Sequence, residues 1–141
     1  MHTAESLQTL LHDTLSLSLK TLQFHWNVIG PNFGPLHDLF GSQYKSLSEA
    51  ADTLAERLRA LQTIVHPFTS TETFSIEPIP IKSPKPTKML EILTLDHEKL
   101  AAFSSEAAKS CAAEDPASSN LFADRQSFHE KTAWMLRSHL Q

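Results

Sequence analysis

Glycine, cysteine and early basic residues are scarce in this sequence of 141 residues. Three glycines are too few for the many tight turns of an all-β protein. The single cysteine, Cys111, excludes an internal disulfide framework and suits a reducing compartment, so we expect a cytoplasmic protein. No apolar run approaches the ~20 residues of a membrane span, and the first residues lack a signal-peptide pattern.

Positive charge is limited as well, since the formal net charge is −4 and no lysine or arginine precedes Lys20. This distribution disfavours nucleic-acid binding through a basic surface or a basic N-terminal arm. Hydrophobic residues make up 40% and charged residues 20% of the chain, which predicts one folded domain over residues 1–141. Histidine, by contrast, is abundant, with eight residues.

Four stretches have the three- and four-residue apolar spacing of amphipathic helices. They cover residues from about 3 to 28, 35 to 64, 87 to 113 and 117 to 139. Thr87 is the expected N-cap of the third helix, and Pro116 follows a break at Asp115. Five of the eight prolines lie between residues 67 and 86, where only one short helical turn around 71–74 is expected.

This order of elements predicts an all-α protein. A long crossover joins two helices that run in the same direction, whereas short links join antiparallel neighbours. The expected architecture is therefore a ferritin-like four-helix bundle with a long crossover between helices 2 and 3.

The candidate metal ligands are two histidines and two acidic residues: His25, His37, Asp52 and Glu56. Asp52 and Glu56 are four residues apart and share one helix face. His25 ends the first predicted helix and His37 begins the second, so the two can meet across the turn. His37 and Asp52 are separated by roughly 22 Å along one helix, at 1.5 Å per residue, and cannot hold one ion within a single chain.

Two explanations fit this spacing. Either the two pairs are unrelated half-sites, or two chains pack antiparallel so that the histidines of one meet the carboxylates of the other. Ordinary roles are also open: a solvated acidic face for Asp52 and Glu56, an interior position for His25 and a helix start for His37. Elsewhere, the cluster from Asp96 to Glu98 is expected on a solvated helix face.

Spaced motifs run through the first two predicted helices: Phe24-His25-Trp26-Asn27-Val28, Gly30-Pro31-x-Phe33, Leu36-His37-x-Leu39-Phe40, Tyr44 and Asp52-x-x-Ala55-Glu56-Arg57. A further run spans His129 to Arg137. Together these motifs resemble the signature of the Dps family, the DNA-binding proteins from starved cells or miniferritins, over nearly the whole chain.

The resemblance implies a dodecameric cage that binds iron. His25 and His37 of one subunit and Asp52 and Glu56 of its neighbour would be the ligands of a ferroxidase site, with Trp26 lining it or serving as a core aromatic. Such a protein oxidises Fe(II), preferably with hydrogen peroxide, and stores the ferric mineral, which protects against oxidative stress. Strong DNA binders of the family often carry a basic terminal tail, so we expect weak or no DNA binding at neutral pH.

Two departures from the family pattern affect these expectations. An acidic residue normally stands four positions after the second histidine, where this chain has Gly41. We therefore expect one weak iron position per site, and we expect Gly41→Asp to raise the oxidation rate or the iron stoichiometry. The alternative is a cage with a degraded ferroxidase site that acts as a metal-binding or structural shell, in which zinc replaces iron. The aspartates of the family's pores are also sparse, with Asp115 and Asp124 as the candidates.

Overall fold

The structure is a computed structural model that describes residues 2–66 and 82–141. These ranges contain four α-helices and no strand. The helices are α1 (Thr3–Asn27), α2 (Phe33–Ala60), α3 (Pro86–Cys111) and α4 (Pro116–Ser138). The all-α, four-helix prediction is confirmed, whereas the short turn expected at 71–74 lies outside the described residues.

Apolar side chains of all four helices meet in one core. Helix α1 packs along α2, α3 packs along α4, and α1 also contacts α3. Fully buried members of this core include Leu7, Phe24, Phe40, Leu54, Met89, Leu100 and Phe122. Burying each such side chain contributes about 1.5–3 kcal/mol, so this core is the main source of stability. No helix within the described ranges combines the length and apolar character needed to cross a bilayer.

Several helix ends differ from the sequence-based prediction, and two of the differences have a clear local cause. Helix α2 ends at Ala60 rather than near residue 64, because Gln62 adopts a left-handed conformation with φ of 59°. The Thr63 N–H then donates to the Leu58 carbonyl at 3.0 Å, which closes the helix end as a Schellman motif does. The N-cap of helix α3 is Lys85, two residues before the predicted Thr87, and Pro86 lies in the first turn, so the Thr87 prediction is wrong.

The acidic cluster of α3 is largely interior, which contradicts the prediction of a solvated face. Asp96 is 3% exposed and accepts a hydrogen bond from Lys20 Nζ of α1 at 2.7 Å. His97 is fully buried. Only Glu98 faces outward, where it pairs with Arg137 of α4 at 2.8 Å. The cluster therefore helps join three helices.

Candidate metal centre

The turn between α1 and α2 brings His25 and His37 together. Gly30 permits the reversal with φ of 109°, a conformation that other residues rarely adopt. The buried Phe24 anchors the end of α1 and contacts Phe40 of α2, with 6.4 Å between the ring centroids. The two imidazoles consequently stack, with their centroids 3.9 Å apart and 14° between their planes.

Each imidazole is also hydrogen-bonded to the main chain of the other histidine. His25 Nδ1 lies 2.6 Å from the His37 carbonyl oxygen, and His37 Nδ1 lies 2.7 Å from the His25 carbonyl oxygen. A carbonyl oxygen only accepts, so each Nδ1 carries the proton. In the neutral rings both Nε2 atoms therefore keep their lone pairs, which is the tautomer that a metal ligand requires.

Two further aromatic rings restrain the histidine pair. Phe33 stacks on His37, with 5.0 Å between centroids and an interplanar angle of 21°. The Tyr44 ring lies 5.6 Å from the His25 ring. The imidazoles are thus held by rings as well as by main-chain hydrogen bonds.

Gly41 lies directly against the His25 ring. A Cβ atom at position 41 would be 2.8 Å from His25 Cε1 and 3.0 Å from His25 Nδ1, closer than ordinary contact. Any side chain there must displace the imidazole. An aspartate at position 41 would therefore have to shift the His25 ring before its carboxylate could reach a metal ion. This geometry also gives a reason for a helix-interior glycine, which costs about 1 kcal/mol relative to alanine.

A cleft of about 460 Å³ opens beside these two residues. Its lining consists of His25, Asp38, Gly41, Ser42, Lys45, Ser46 and Glu49. The carboxylates of Asp38 and Glu49 provide oxygen donors on the α2 side of the cleft, and Lys45 partly balances their charge. The open space next to His25 therefore adjoins a polar surface.

Asp52 and Glu56 form the second pair, and both side chains are exposed on α2. A hydrogen bond between the two carboxyl groups, together with the repulsion of the Asp52 charge, raises the pKa of Glu56. Two carboxylates this close repel one another, and a proton or a cation relieves the repulsion. The pair is thus an exposed acidic face that favours a nearby positive charge.

The chain does not bring the two pairs together. Along α2, His37 and Asp52 are separated by roughly 22 Å of helix, from the rise of 1.5 Å per residue. In the part of the chain that the structure describes, no group of three or more histidine, cysteine, aspartate or glutamate side chains is placed to hold a metal ion. The two histidines and the two acids are therefore separate pairs within one chain.

The turn beside the histidine pair exposes apolar side chains. Trp26 is 67% exposed, which excludes its alternative role as a core aromatic. Ile29 and Phe33 are exposed as well. We call Trp26, Ile29 and Phe33 the turn patch.

The predicted pore residue Asp115 is already engaged. It caps α4 by accepting the Ser118 N–H at 3.0 Å, and it pairs with Arg57 of α2 at 2.9 Å. The hydrogen bonds from Ser118, with the nearby Arg57 charge, lower the pKa of Asp115. Its carboxylate therefore joins α2 to α4 and is a poor candidate for a free charge in a channel.

Sequence reasoning missed a second histidine pair, inside the bundle. His97 of α3 and His129 of α4 are both fully buried, with 2.8 Å between their Nδ1 atoms. Arg125 Nη2 donates to His129 Nε2 at 3.4 Å. Burial, and then the Arg125 charge, lower the pKa of His97 to about 3. The helical register with Leu93 and Leu100 on α3 is the sequence signal that would have placed His97 inside.

Comparison with known proteins identifies the class to which this bundle belongs. Residues 4–141 match the family model described as "Ferritin-like domain". The chain is 33% identical over 138 residues to an uncharacterized low temperature-induced protein of Nostoc sp., covering 93% of this chain and 75% of that protein. The chain belongs to the ferritin-like family.

Its similarities within that family point to Dps proteins. The chain is 27% identical over 139 residues to DNA protection during starvation protein 2 of Deinococcus radiodurans, covering 97% of this chain and 58% of that protein. The crystal structure of Dps from Staphylococcus aureus superposes with a TM-score of 0.93 at 27% identity, covering 99% of this chain and 95% of that one. Within the ferritin-like family, this chain is thus similar to Dps proteins in both sequence and fold.

Proposed function

We propose that the protein oxidises Fe(II) with hydrogen peroxide at a site between two subunits, and that it stores the ferric product in a dodecameric cage. The observation that carries this proposal is the reciprocal hydrogen bonding of His25 and His37. It fixes both Nδ1 atoms as donors to main-chain carbonyls and leaves both Nε2 atoms available to a cation.

The separation of the two pairs supports a site shared between subunits. A second copy that packs antiparallel would place its Asp52 and Glu56 opposite His25 and His37 of the first. The same contact would cover the turn patch, whose three large apolar side chains are otherwise exposed to water. A homo-oligomer would therefore complete the ligand set and bury apolar surface together.

The ligand chemistry suits ferrous iron as the substrate. Imidazole nitrogen and carboxylate oxygen are both good ligands for Fe(II). Two Fe(II) ions give two electrons to one hydrogen peroxide, the O–O bond breaks, and two protons complete two water molecules. The residues bind and orient the ions, while iron supplies the redox chemistry. A paired transfer of this kind avoids release of hydroxyl radicals, in keeping with a cytoplasmic role in oxidative stress.

Stopped-flow oxidation of the assembled protein tests the proposal. The metal-free protein is loaded anaerobically with Fe(II), mixed with peroxide, and followed by ferric absorbance. We expect wild-type oxidation well above a protein-free control. Asp52→Asn combined with Glu56→Gln should reduce the rate to that of the control without dissolving the assembly, because half of the ligand set is lost. Glu114 is an exposed acid in the turn after α3, so Glu114→Gln is the matched control and should leave the rate unchanged.

Two results would contradict the proposal. One is full activity in the Asp52→Asn, Glu56→Gln variant, which would place the reaction elsewhere. The other is a stable monomer in sedimentation at working concentration, because a monomer cannot form a site shared between subunits.

A second candidate function follows from the absence of an acidic side chain at position 41. With two imidazoles from one subunit and two carboxylates from another, the site has the four-ligand composition that zinc accepts. The protein would then be a metal-binding shell without turnover. Tight Zn(II) binding combined with iron oxidation at the control rate would favour this candidate.

A further inference from the structure

We propose that Gly41 is a positioning residue of the metal centre. Because position 41 has no side chain, the His25 imidazole can pack directly against its Cα. This packing places two imidazoles side by side, as a half-site for cations that accept nitrogen ligands. The inference uses the proposed function only to locate the site.

The contact itself is too close for any side chain. A Cβ at position 41 would approach His25 Cε1 to 2.8 Å and His25 Nδ1 to 3.0 Å, and would lie 3.7 Å from His25 Nε2. Restoring ordinary carbon–carbon contact requires the ring to move by roughly 0.7 Å. The closest atoms belong to the edge of the ring that also makes the hydrogen bond to His37.

The imidazole has little freedom to make that movement. Its Nδ1 donates to the His37 carbonyl at 2.6 Å, and its face stacks on the His37 ring at 3.9 Å. The Tyr44 ring stands on α2 at 5.6 Å. A displaced His25 therefore stretches or bends the hydrogen bond that fixes its tautomer, and the orientation of Nε2 changes with it.

The kind of cation that the half-site prefers follows from the side chain that packs against Gly41. An imidazole occupies the space into which an acidic side chain at position 41 would have to extend. The half-site of this chain thus offers nitrogen rather than oxygen, which suits Fe(II), Co(II) and Zn(II) better than Mg(II) or Ca(II).

The chain provides a matched control for this argument. Gly34 is also a glycine of helix α2, but a Cβ built there meets nothing within 4 Å. Gly34→Ala and Gly41→Ala make the same chemical change in one helix, and they differ in the presence of an imidazole against the added methyl group.

The experiment titrates the assembled, full-length protein with Co(II) and records both calorimetry and the visible ligand-field spectrum. Gly41→Ala should weaken Co(II) binding by about tenfold or more, the usual effect of disturbing the support of a ligand. It should also shift the Co(II) bands toward fewer nitrogen ligands. Gly34→Ala should match wild type in both readouts. Equal binding and equal spectra for the two variants would overturn the inference.

A double-mutant cycle shows whether Gly41 acts through His25. In a His25→Ala background, adding Gly41→Ala should change Co(II) affinity no further, because no imidazole remains to be displaced. The same loss in both backgrounds would refute the proposal. If Gly41→Ala alone unfolds or fails to assemble, the double variant should regain the stability that the clash removed, and a double variant of equal instability would refute it too.

Recording iron oxidation on the same preparations separates this inference from the proposed function. A wild type that binds Co(II) but does not oxidise iron, with Gly41→Ala impaired in binding, supports the positioning role and rejects the ferroxidase. Active wild-type enzyme with a Gly41→Ala variant that binds Co(II) normally does the reverse.

Discussion

Acidification should destabilise this protein through the buried histidine pair. His97 and His129 are both fully interior, where a charged imidazole is unfavourable. The pKa of His97 is lowered to about 3 by burial and by the Arg125 charge. Burial also lowers the pKa of His129, and repulsion between two protonated imidazoles and from the Arg125 charge acts in the same direction. Neither ring accepts a proton in the fold at mildly acidic pH.

The direction of the effect follows from proton linkage. An unfolded histidine titrates near its ordinary pKa of about 6.5, whereas the pKa of folded His97 is about 3. Between these two pH values, His97 is therefore protonated in the unfolded chain and neutral in the folded protein. The contribution of His97 to the free energy of unfolding is fully present above pH 6.5 and is lost as the pH falls through this window. At about pH 5, His97 alone accounts for a loss of about 2 kcal/mol, from 1.4 kcal/mol per pH unit. His129 acts in the same direction, and a domain of this size has only about 5–15 kcal/mol in total.

Urea unfolding between about pH 7 and pH 5 measures this loss. His97→Gln removes a group that is protonated only in the unfolded chain. It should therefore reduce the slope of the free energy of unfolding against pH by up to about 1.4 kcal/mol per pH unit. The matched control is His139→Gln, which replaces an exposed histidine at the end of α4 and should leave the slope as in wild type. An unchanged slope in His97→Gln would mean that His97 is protonated within the fold, and the burial argument would be refuted.

Two other predictions concern the core and the surface. Lys20→Met should lower the free energy of unfolding by about 3–5 kcal/mol, because it leaves Asp96 charged and interior, and Lys20→Met with Asp96→Leu should recover much of the loss in thermal unfolding. Full stability in the single variant would show that the pair is dispensable. A gel shift at neutral pH and physiological salt should show no tight complex with duplex DNA, given the net charge of −4, and a retarded band under those conditions would contradict this.

The helices could be predicted from sequence because their apolar periodicity is strong and their breaks contain proline or glycine. The exact ends of the helices were harder to predict. Helix α2 ends at Ala60 because Gln62 takes up a left-handed conformation, and glutamine carries no signal for that conformation. The α3 start was displaced because the favourable place of Pro86 in the first helical turn outweighs the capping preference of Thr87.

The pairing of His25 with His37 could be predicted for a different reason. The turn residues between α1 and α2 forced His25 and His37 to the same end of two adjacent helices, so their approach followed from chain geometry. Their reciprocal hydrogen bonds to main-chain carbonyls did not, because these depend on the relative twist of the two helices. The shared site between subunits remains a prediction, supported by the distance along α2.

Gly41 and His97 show why local patterns mislead at functional and interior positions. Position 41 looks like a missing ligand when only its spacing from His37 is counted, but its constraint comes from His25 on another helix, at a Cβ distance of 2.8 Å. His97 looks like a surface residue when only its acidic neighbours are counted, yet its register with Leu93 and Leu100 directs it into the core. In both cases the deciding contact is tertiary. A search by ligand spacing alone overlooks a glycine whose lack of a side chain leaves space for an imidazole. It also overlooks a histidine that stands at a buried position of an apolar helix face.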